Sequence, residues 1–397
     1  MLKLCINIFL LLAVWSLAQG QTRSEKKVRK SFEKILKKED VHNGFLQIKS
    51  ADGTIDWKYV EGHFKDGMPV TELNPFHSTS VGKMFTATAV MQLAEEGELK
   101  LDESISLHLP PEVMKGLHVY EGIEYSSKIT IAQLLQHTSG LPDYIEDTPK
   151  DGSANMMSLL FQNPEKFWEV EELLAFSKEK LRPHFPPGGG YHYTDTEYLL
   201  LGLIIEEKHQ KPLHDVFRDE YFEPLKMEYT AMFKRSKSIR SGGRMAEFYV
   251  DRTEIIPYES LSMDWAGGGL VTTTEDLLKF QQALLAGELI SAASLERMQD
   301  WHKESKGIYY GLGLRKYTFK EFSKLLPDLT IIGHSGVNSS FSFYCPELQV
   351  YMAGTFNQTN QMEESIRFLM KVLMTVYHNR NKAGRSFGAL PMPRQRV

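Results

Sequence analysis

Two periodicities divide this chain. Toward its ends, apolar and polar positions alternate. GFLQIK at 44–49 and IDWKYV at 55–60 read as strands joined through the turn-forming Asp52-Gly53. Strand-like segments return only at 308–316, 329–333, 339–345 and 348–356, with Pro346-Glu347 as a tight link between the last two. From about 99 to 262 the apolar spacing lengthens to three and four. ITIAQLLQH, EELLAFSKEKL and TEYLLLGLIIEEKH are helical, separated by the Pro- and Gly-rich loops LPPE at 109–112, HTSGLPDY at 137–144 and HFPPGGGYHY at 184–193. TTTE at 272–275 predicts a capping box opening a helix over 275–286 that stops at Gly287, and a last helical pattern covers 361–378.

Strands at both ends around a helical middle predict an α/β (α+β) fold. Its antiparallel sheet, flanked by helices, is formed by both ends of the chain and interrupted by an all-helical insertion. On that reading, residues 21–98 and 263–397 make the α/β region and 99–262 the insertion. Ahead of the first strand, residues 23–38 place Val28, Phe32, Ile35 and Leu36 on one stripe with lysines elsewhere. Such a stripe suits a membrane surface or a packed helix, and packing is the reading adopted.

Composition narrows the class. The 397 residues are 42% hydrophobic and 24% charged with a net charge of -5, which is globular and gives no electrostatic reason for nucleic acid as a partner. The first 20 residues join one early lysine, an apolar run from Leu4 to Leu17 and the small-residue pattern Ala18-Gln19-Gly20, as a signal peptide does. The run is shorter than the ~20 residues of a spanning helix. The expectation is therefore a periplasmic or secreted protein without a stable membrane anchor. Cys5 falls inside that leader, so the mature chain keeps only Cys345 and has no internal disulfide. The 13 histidines include no His-Glu-x-x-His, and Gly311-Leu312-Gly313 is too short for a dinucleotide loop, so neither metal nor organic cofactor is expected.

Candidate chemistry starts at STSVGKMFTATAVMQLAEEG, residues 78–97. Ser-x-x-Lys also occurs at Ser24/Lys27, Ser31/Lys34 and Ser177/Lys180, but in highly charged stretches where solvated lysines belong. Only Ser80 and Lys83 open an apolar helix. Their spacing puts hydroxyl and ammonium on one face, and a helix N-terminus offers free N–H groups to a developing oxyanion. Desolvation would lower the lysine pKa and make it a base for the serine. A helix cap alone accounts for Ser80 but not for Lys83.

With these residues in view, the chain resembles the serine β-lactamase and penicillin-binding-protein superfamily, nearest its class C-like branch of peptidases and esterases. LLQHTSGLPDY at 134–144 is similar to that family's Leu-Leu-x-His-Thr-Ser-Gly-Leu loop. FPPGGGYHYTD at 185–195 resembles its Phe-x-Pro-Gly segment leading into Tyr-x-Asn. WAGGGLVTTTEDLLKF at 265–280 resembles its glycine-rich turn, and GHSG at 333–336 stands where the family has Lys-Thr-Gly or His-x-Gly. The blocks follow the family's order across most of the mature chain.

The resemblance implies Ser80 as the acylated nucleophile, Lys83 as the group moving its proton and Tyr193 as general base and acid. It further implies Asp195, His334, Ser335, Gly336 and Val337 as substrate-binding positions, with the Ser80 and Val337 N–H groups as oxyanion hole. His137 would support the fold, and His334 could equally be a satisfied buried histidine. Two residues depart from the pattern. Asp195 replaces the usual Asn; it cannot donate to a substrate carbonyl, and beside Lys83 it would favour the ammonium and push the base role toward Tyr193, unless it only caps the following helix. His334 replaces a lysine and removes a fixed positive charge for a β-lactam or peptide carboxylate. The expected activity is a serine hydrolase acting on an ester, amide, β-lactam or D-amino-acid peptide. The rival is a non-catalytic or slow-turnover sensor that binds wall peptides or β-lactams. An α/β-hydrolase is disfavoured because GHSGV at 333–337 lacks the last glycine and runs into a strand.

Overall fold

The structure, a computed structural model, describes residues 22–382. The expected signal peptide lies outside the described residues.

One antiparallel sheet holds β1 (Asn43–Ser50), β2 (Asp56–Gly62), β3 (His302–Ser305), β4 (Ile308–Tyr310), β5 (Arg315–Thr318), β6 (Thr330–Ser335), β7 (Phe341–Cys345) and β8 (Val350–Thr355). The strand order is β3-β4-β5-β6-β7-β8-β1-β2. The first hairpin thus docks on the last strand, with Phe45 opposite Thr355 and Ser50 opposite Val350. The single strand expected over 308–316 is a hairpin, because Gly311 donates to Leu314 O at 2.8 Å and turns the chain between β4 and β5. Polar HKES, the edge strand β3, carries no apolar alternation to betray it.

The longer helices among the described residues are α1 (Arg23–Leu36), α2 (Lys83–Glu95), α3 (Val170–Lys180), α4 (Asp195–His209), α5 (Thr274–Ala286) and α6 (Met362–Lys382). On one face α1 and α6 bury Val28, Phe32 and Ile35 with Ile48, Met352 and Phe368, so the basic helix spends its stripe on packing. On the other face α5 lies over β1, β7 and β8. Phe280 of α5 stacks on Phe85 of α2 at 3.6 Å, joining sheet and helical region in one core. Gly287 ends α5 in a left-handed conformation, as expected. The capping box does not form at 272–275. Thr273 is the cap, accepting from Asp276 N–H at 3.3 Å, while Glu275 accepts from Gln47 Nε2 at 2.8 Å and Lys49 Nζ at 3.0 Å on β1. A cation on the adjoining strand outcompetes the helix terminus for that carboxylate.

The middle of the chain is mainly helical but not wholly so. Ala231–Met232 pairs with Leu270–Thr272, which pairs with Phe76–His77. Strands of two or three residues are too short for alternation to reveal, yet this small sheet aims the chain at Ser80.

Candidate active site

Phe76–His77 leads into a tight turn fixed from both sides. Ser78 N–H donates to Leu270 O at 2.8 Å, and Ser340 Oγ donates to Ser78 O at 2.6 Å. Thr79 takes a left-handed φ of 44°. For a β-branched residue that costs about 1–3 kcal/mol. It is offset by Thr79 N–H on His77 Nδ1 at 3.1 Å, Thr79 Oγ1 on Asn338 Oδ1 at 2.9 Å and Asn338 Nδ2 on His77 O at 2.6 Å. Burial drives His77 down to about 3, so its neutral ring accepts there. Gly336 is required at the end of β6, where a Cβ would lie 1.8 Å from Thr79 Oγ1. The chain then makes a short 3-10 turn over Thr79–Gly82 and enters α2 at Lys83, leaving Ser80 half-buried at the floor of a cleft.

Lys83 is fully buried and satisfied on three sides. Its Nζ donates to Asp195 Oδ1 in a short ion pair, to Gly267 O at 2.9 Å and toward Ser80 Oγ at 3.4 Å. It also lies 4.9 and 5.2 Å from the ring centres of Tyr193 and Tyr198. Burial pulls its pKa down, but Asp195, Tyr193 and Asp264 together outweigh burial and hold it above the ordinary lysine value. The desolvated, neutral lysine expected from the apolar helix is therefore not the resting state. Gly267 makes the approach possible, since a Cβ there would sit 2.2 Å from Asp195 Oδ1.

Asp195 does not cap α4. Thr194 does, accepting from Thr196 N–H at 3.0 Å, while the Asp195 N–H donates to Asp143 Oδ1 at 2.9 Å. The Asp195 side chain is thereby left to Lys83 and the cleft. Tyr193 lines the same cleft; its hydroxyl is buried with no hydrogen-bond partner among the described residues. Burial raises its pKa, Lys83 and Arg315 oppose the rise, and Asp195 adds to it.

The block from 334 to 337 divides. Ser335 and Val337 line the cleft. His334 is fully buried, with Nε2 2.9 Å from Tyr310 Oη and Nδ1 2.8 Å from Ser335 O. Both ring nitrogens are engaged within the protein, the geometry of the satisfied buried histidine that is one of the two readings of this position. His137 is also internal. Its Nδ1 meets Glu197 Oε2 at 2.5 Å, and Glu197 Oε1 accepts from Ser139 Oγ at 2.5 Å and Ser139 N–H at 3.1 Å. Burial raises Glu197 and lowers His137, making this a neutral acid–imidazole contact.

Four cleft groups went unnoticed in the sequence. Asp143 and Asp264 flank the Lys83–Asp195 pair, and burial, reinforced by the Asp195 charge, pushes them up to about 8 and about 7. Arg315 sends Nε and Nη2 to the two carboxylate oxygens of Glu304 at 2.9 and 3.1 Å and faces Tyr193 at 5.2 Å. Asp143 stands inside the HTSGLPDY loop and Asp264 directly before WAGGG, so proximity to those blocks was the available signal. Glu304 and Arg315 had none, because only the β3–β4–β5 meander brings them to the site.

The cleft measures about 480 Å³. It opens over a serine and a buried lysine, between a large antiparallel sheet and a helical region, which is the β-lactamase/transpeptidase-like arrangement. The chain belongs to the Beta-lactamase family, whose family model matches residues 47–372. It is 26% identical to penicillin-binding protein 4* of Bacillus subtilis over 332 residues, 78% of this chain and 66% of that protein. The chain thus spans just under two thirds of that relative, and 56% and 37% of two further matches. Among solved structures, a D-stereospecific amidohydrolase from Streptomyces superposes with a TM-score of 0.68 at 25% identity, covering 84% of this chain and 94% of that one. The D-amino acid amidase of Ochrobactrum anthropi gives 0.74 at 22% identity, with 90% and 100% covered. The family is one of serine hydrolases. No helix among the described residues is long and apolar enough to cross a membrane.

Proposed function

We propose that this protein is an exported serine hydrolase that works through an acyl-enzyme on Ser80. The observation carrying the proposal is the contact of 3.4 Å between Ser80 Oγ, at the cleft floor, and the buried Lys83 Nζ, whose charge is fixed by Asp195. An ammonium held in this way is no resting base. The reactive form is the minority in which Tyr193 is a phenolate, stabilised by Lys83 and Arg315. Lys83 gives one proton to the Tyr193 phenolate and, as Ser80 Oγ attacks the carbonyl carbon, takes the hydroxyl proton in its place, ending as it began. The Tyr193 phenol returns that proton to the leaving alkoxide or amine, and water repeats the sequence to release the acid. The N–H groups of Ser80 and Val337 serve the oxyanion.

The cleft wall supports a substrate class. Its acidic groups are paired or protonated: Lys83 holds Asp195, Arg315 holds Glu304, and burial pushes Asp143 and Asp264 up to about 8 and about 7, so the described cleft residues offer no unpaired cation to a substrate carboxylate. Position 334 adds no cation. An uncharged or amine-bearing ester or amide fits this field better than a β-lactam with its carboxylate. The test is a fluorophosphonate probe followed by a panel of small esters, D-amino-acid amides and β-lactams. Wild type should label and turn over neutral or amine-bearing members, while Ser80→Ala loses about 10⁴-fold or more of activity with an unchanged melting temperature. Equal turnover in that variant removes the mechanism, and lasting label without turnover identifies the sensor instead.

A further inference from the structure

The rim of the cleft holds a second constellation that the hydrolase reading does not use. Asp147, His184 and His192 each present one ligating atom, and the three atoms lie within 4.8 Å of one another. Asp147 Oδ2 is their meeting point, 2.7 Å from His184 Nε2 and 3.2 Å from His192 Nε2. It also accepts the Asp143 N–H at 2.8 Å. One backbone N–H and two imidazole nitrogens thus converge on one carboxylate oxygen. The side chains remain 20–38% exposed, so water has room to complete a coordination shell.

The backbone holds the two histidines in place. His184 and His192 end the Phe-Pro-Pro-Gly-Gly-Gly-Tyr segment. His184 N–H donates to Gly140 O at 2.9 Å and His192 N–H to His137 O at 3.0 Å, pinning both ends on the 137–140 loop. The imidazoles lie side by side with centres 3.7 Å apart. Ligands about 2.0–2.1 Å from a tetrahedral zinc stand roughly 3.4 Å from each other. The Asp147–histidine distances of 2.7 and 3.2 Å lie within an ångström of that, and the two imidazole centres would spread by about 1.5 Å to take separate tetrahedral positions. Two neutral imidazoles and one carboxylate with open positions form a donor set for Zn²⁺ and similar divalent transition metals, and a poor one for Mg²⁺ or Ca²⁺. The residues are 37 and 45 positions from Asp147, so no short motif could announce them.

We propose that Asp147, His184 and His192 bind one divalent transition-metal ion, of which Zn²⁺ is the representative, stapling the loop that carries Asp143 and Glu146 to the loop that carries Tyr193. Each neutral imidazole then offers its Nε2 lone pair to the ion and carries its single proton on Nδ1. It lies on the rim and takes no part in bond breaking. Its effect is to fix the separation of two walls that substrate must pass.

The test titrates the full chain with Zn²⁺ against a chromophoric chelator and records the visible spectrum with Co²⁺. Wild type and Ser80→Ala should each take up one equivalent and melt at a higher temperature with the metal than without it. His184→Ala and His192→Ala should bind at least about tenfold more weakly and lose the thermal shift. Metal-free melting curves check that the variants fold. If His192→Ala does not, Asp147→Asn, which keeps a side-chain oxygen for the Asp143 N–H, is read in its place. Zn²⁺ binding of equal strength in wild type and variants, or none in wild type, overturns the site. Because Ser80→Ala retains the metal in this proposal, its failure and that of the hydrolase reading are separate results.

Discussion

The two faces of the large sheet are stabilised in opposite ways. Beneath α1 and α6 lie aliphatic and aromatic side chains such as Val28, Phe32, Ile48, Phe343, Met352 and Phe368. Toward the cleft the protein buries Lys83, Asp143, Asp195, Glu197, His137 and His334. The first face needs volume and apolarity, and tolerates exchange of one hydrophobe for another at modest cost. The second is a set of mutual obligations, in which removing one partner strands a charge or a donor in low dielectric. Apolar packing is shared by both faces, since Phe45, Phe76, Phe85 and Phe280 build a core under α5 as well, while the buried charges gather only toward the cleft.

The comparison can be broken most forcefully on the apolar side. Phe32→Ala should cost about 3–5 kcal/mol of unfolding free energy, read from denaturant midpoints, while kcat/KM of the folded fraction stays at the wild-type value. A change in kcat/KM would show that the faces are coupled. On the reactive side, Asp195→Asn removes the charge that raises both Lys83 and Tyr193. The rising limb of kcat/KM against pH should then move toward acid by about one unit, equivalent to about 1.4 kcal/mol, with the melting temperature a secondary readout. An unmoved limb would take Asp195 out of the mechanism.

A third test concerns the proton on Asp264. Burial and Asp195 push its folded pKa up to about 7, against about 3.9 in an unfolded chain. Between those values the folded state holds a proton that the unfolded state has released. Stability accordingly falls as pH rises from about 4 to 7, by no more than about 1.4 kcal/mol per unit, and levels off above. Asp264→Asn should flatten this decline, measured as a smaller drop in melting temperature between pH 5 and 8. An equally steep decline would locate the proton elsewhere, with Asp143 the first group to test.

Legibility in the sequence follows the same division. The stripe of α1, the strands β1, β2, β7 and β8, and the Gly287 stop all come from local rules of spacing and turn chemistry, and the structure places them within a few residues. Family-like blocks marked Ser80, Lys83, Tyr193 and Asp195, and the fold brings the four to one cleft or its floor. Less could be read of protonation. An apolar helix suggests a lowered lysine pKa and a neighbouring Asp195 the reverse, and only the fold shows that Asp195, 112 residues away, makes that contact and sets the sign. The surroundings of His334 were open for a related reason: strand alternation does not say which side chain meets a neighbour such as Tyr310. Arg315 and Glu304 become site residues only through sheet register.

The docking of β1 between β2 and β8 has a consequence for synthesis. A nascent chain emits the Ser80 turn early but cannot anchor it until Gly336, Asn338 and Ser340 have left the ribosome. The opening hairpin waits just as long for β8. Pairings so distant in sequence form slowly. Hydrolytic competence should consequently appear all at once at the end of folding, and a prematurely released fragment would be inert toward substrate.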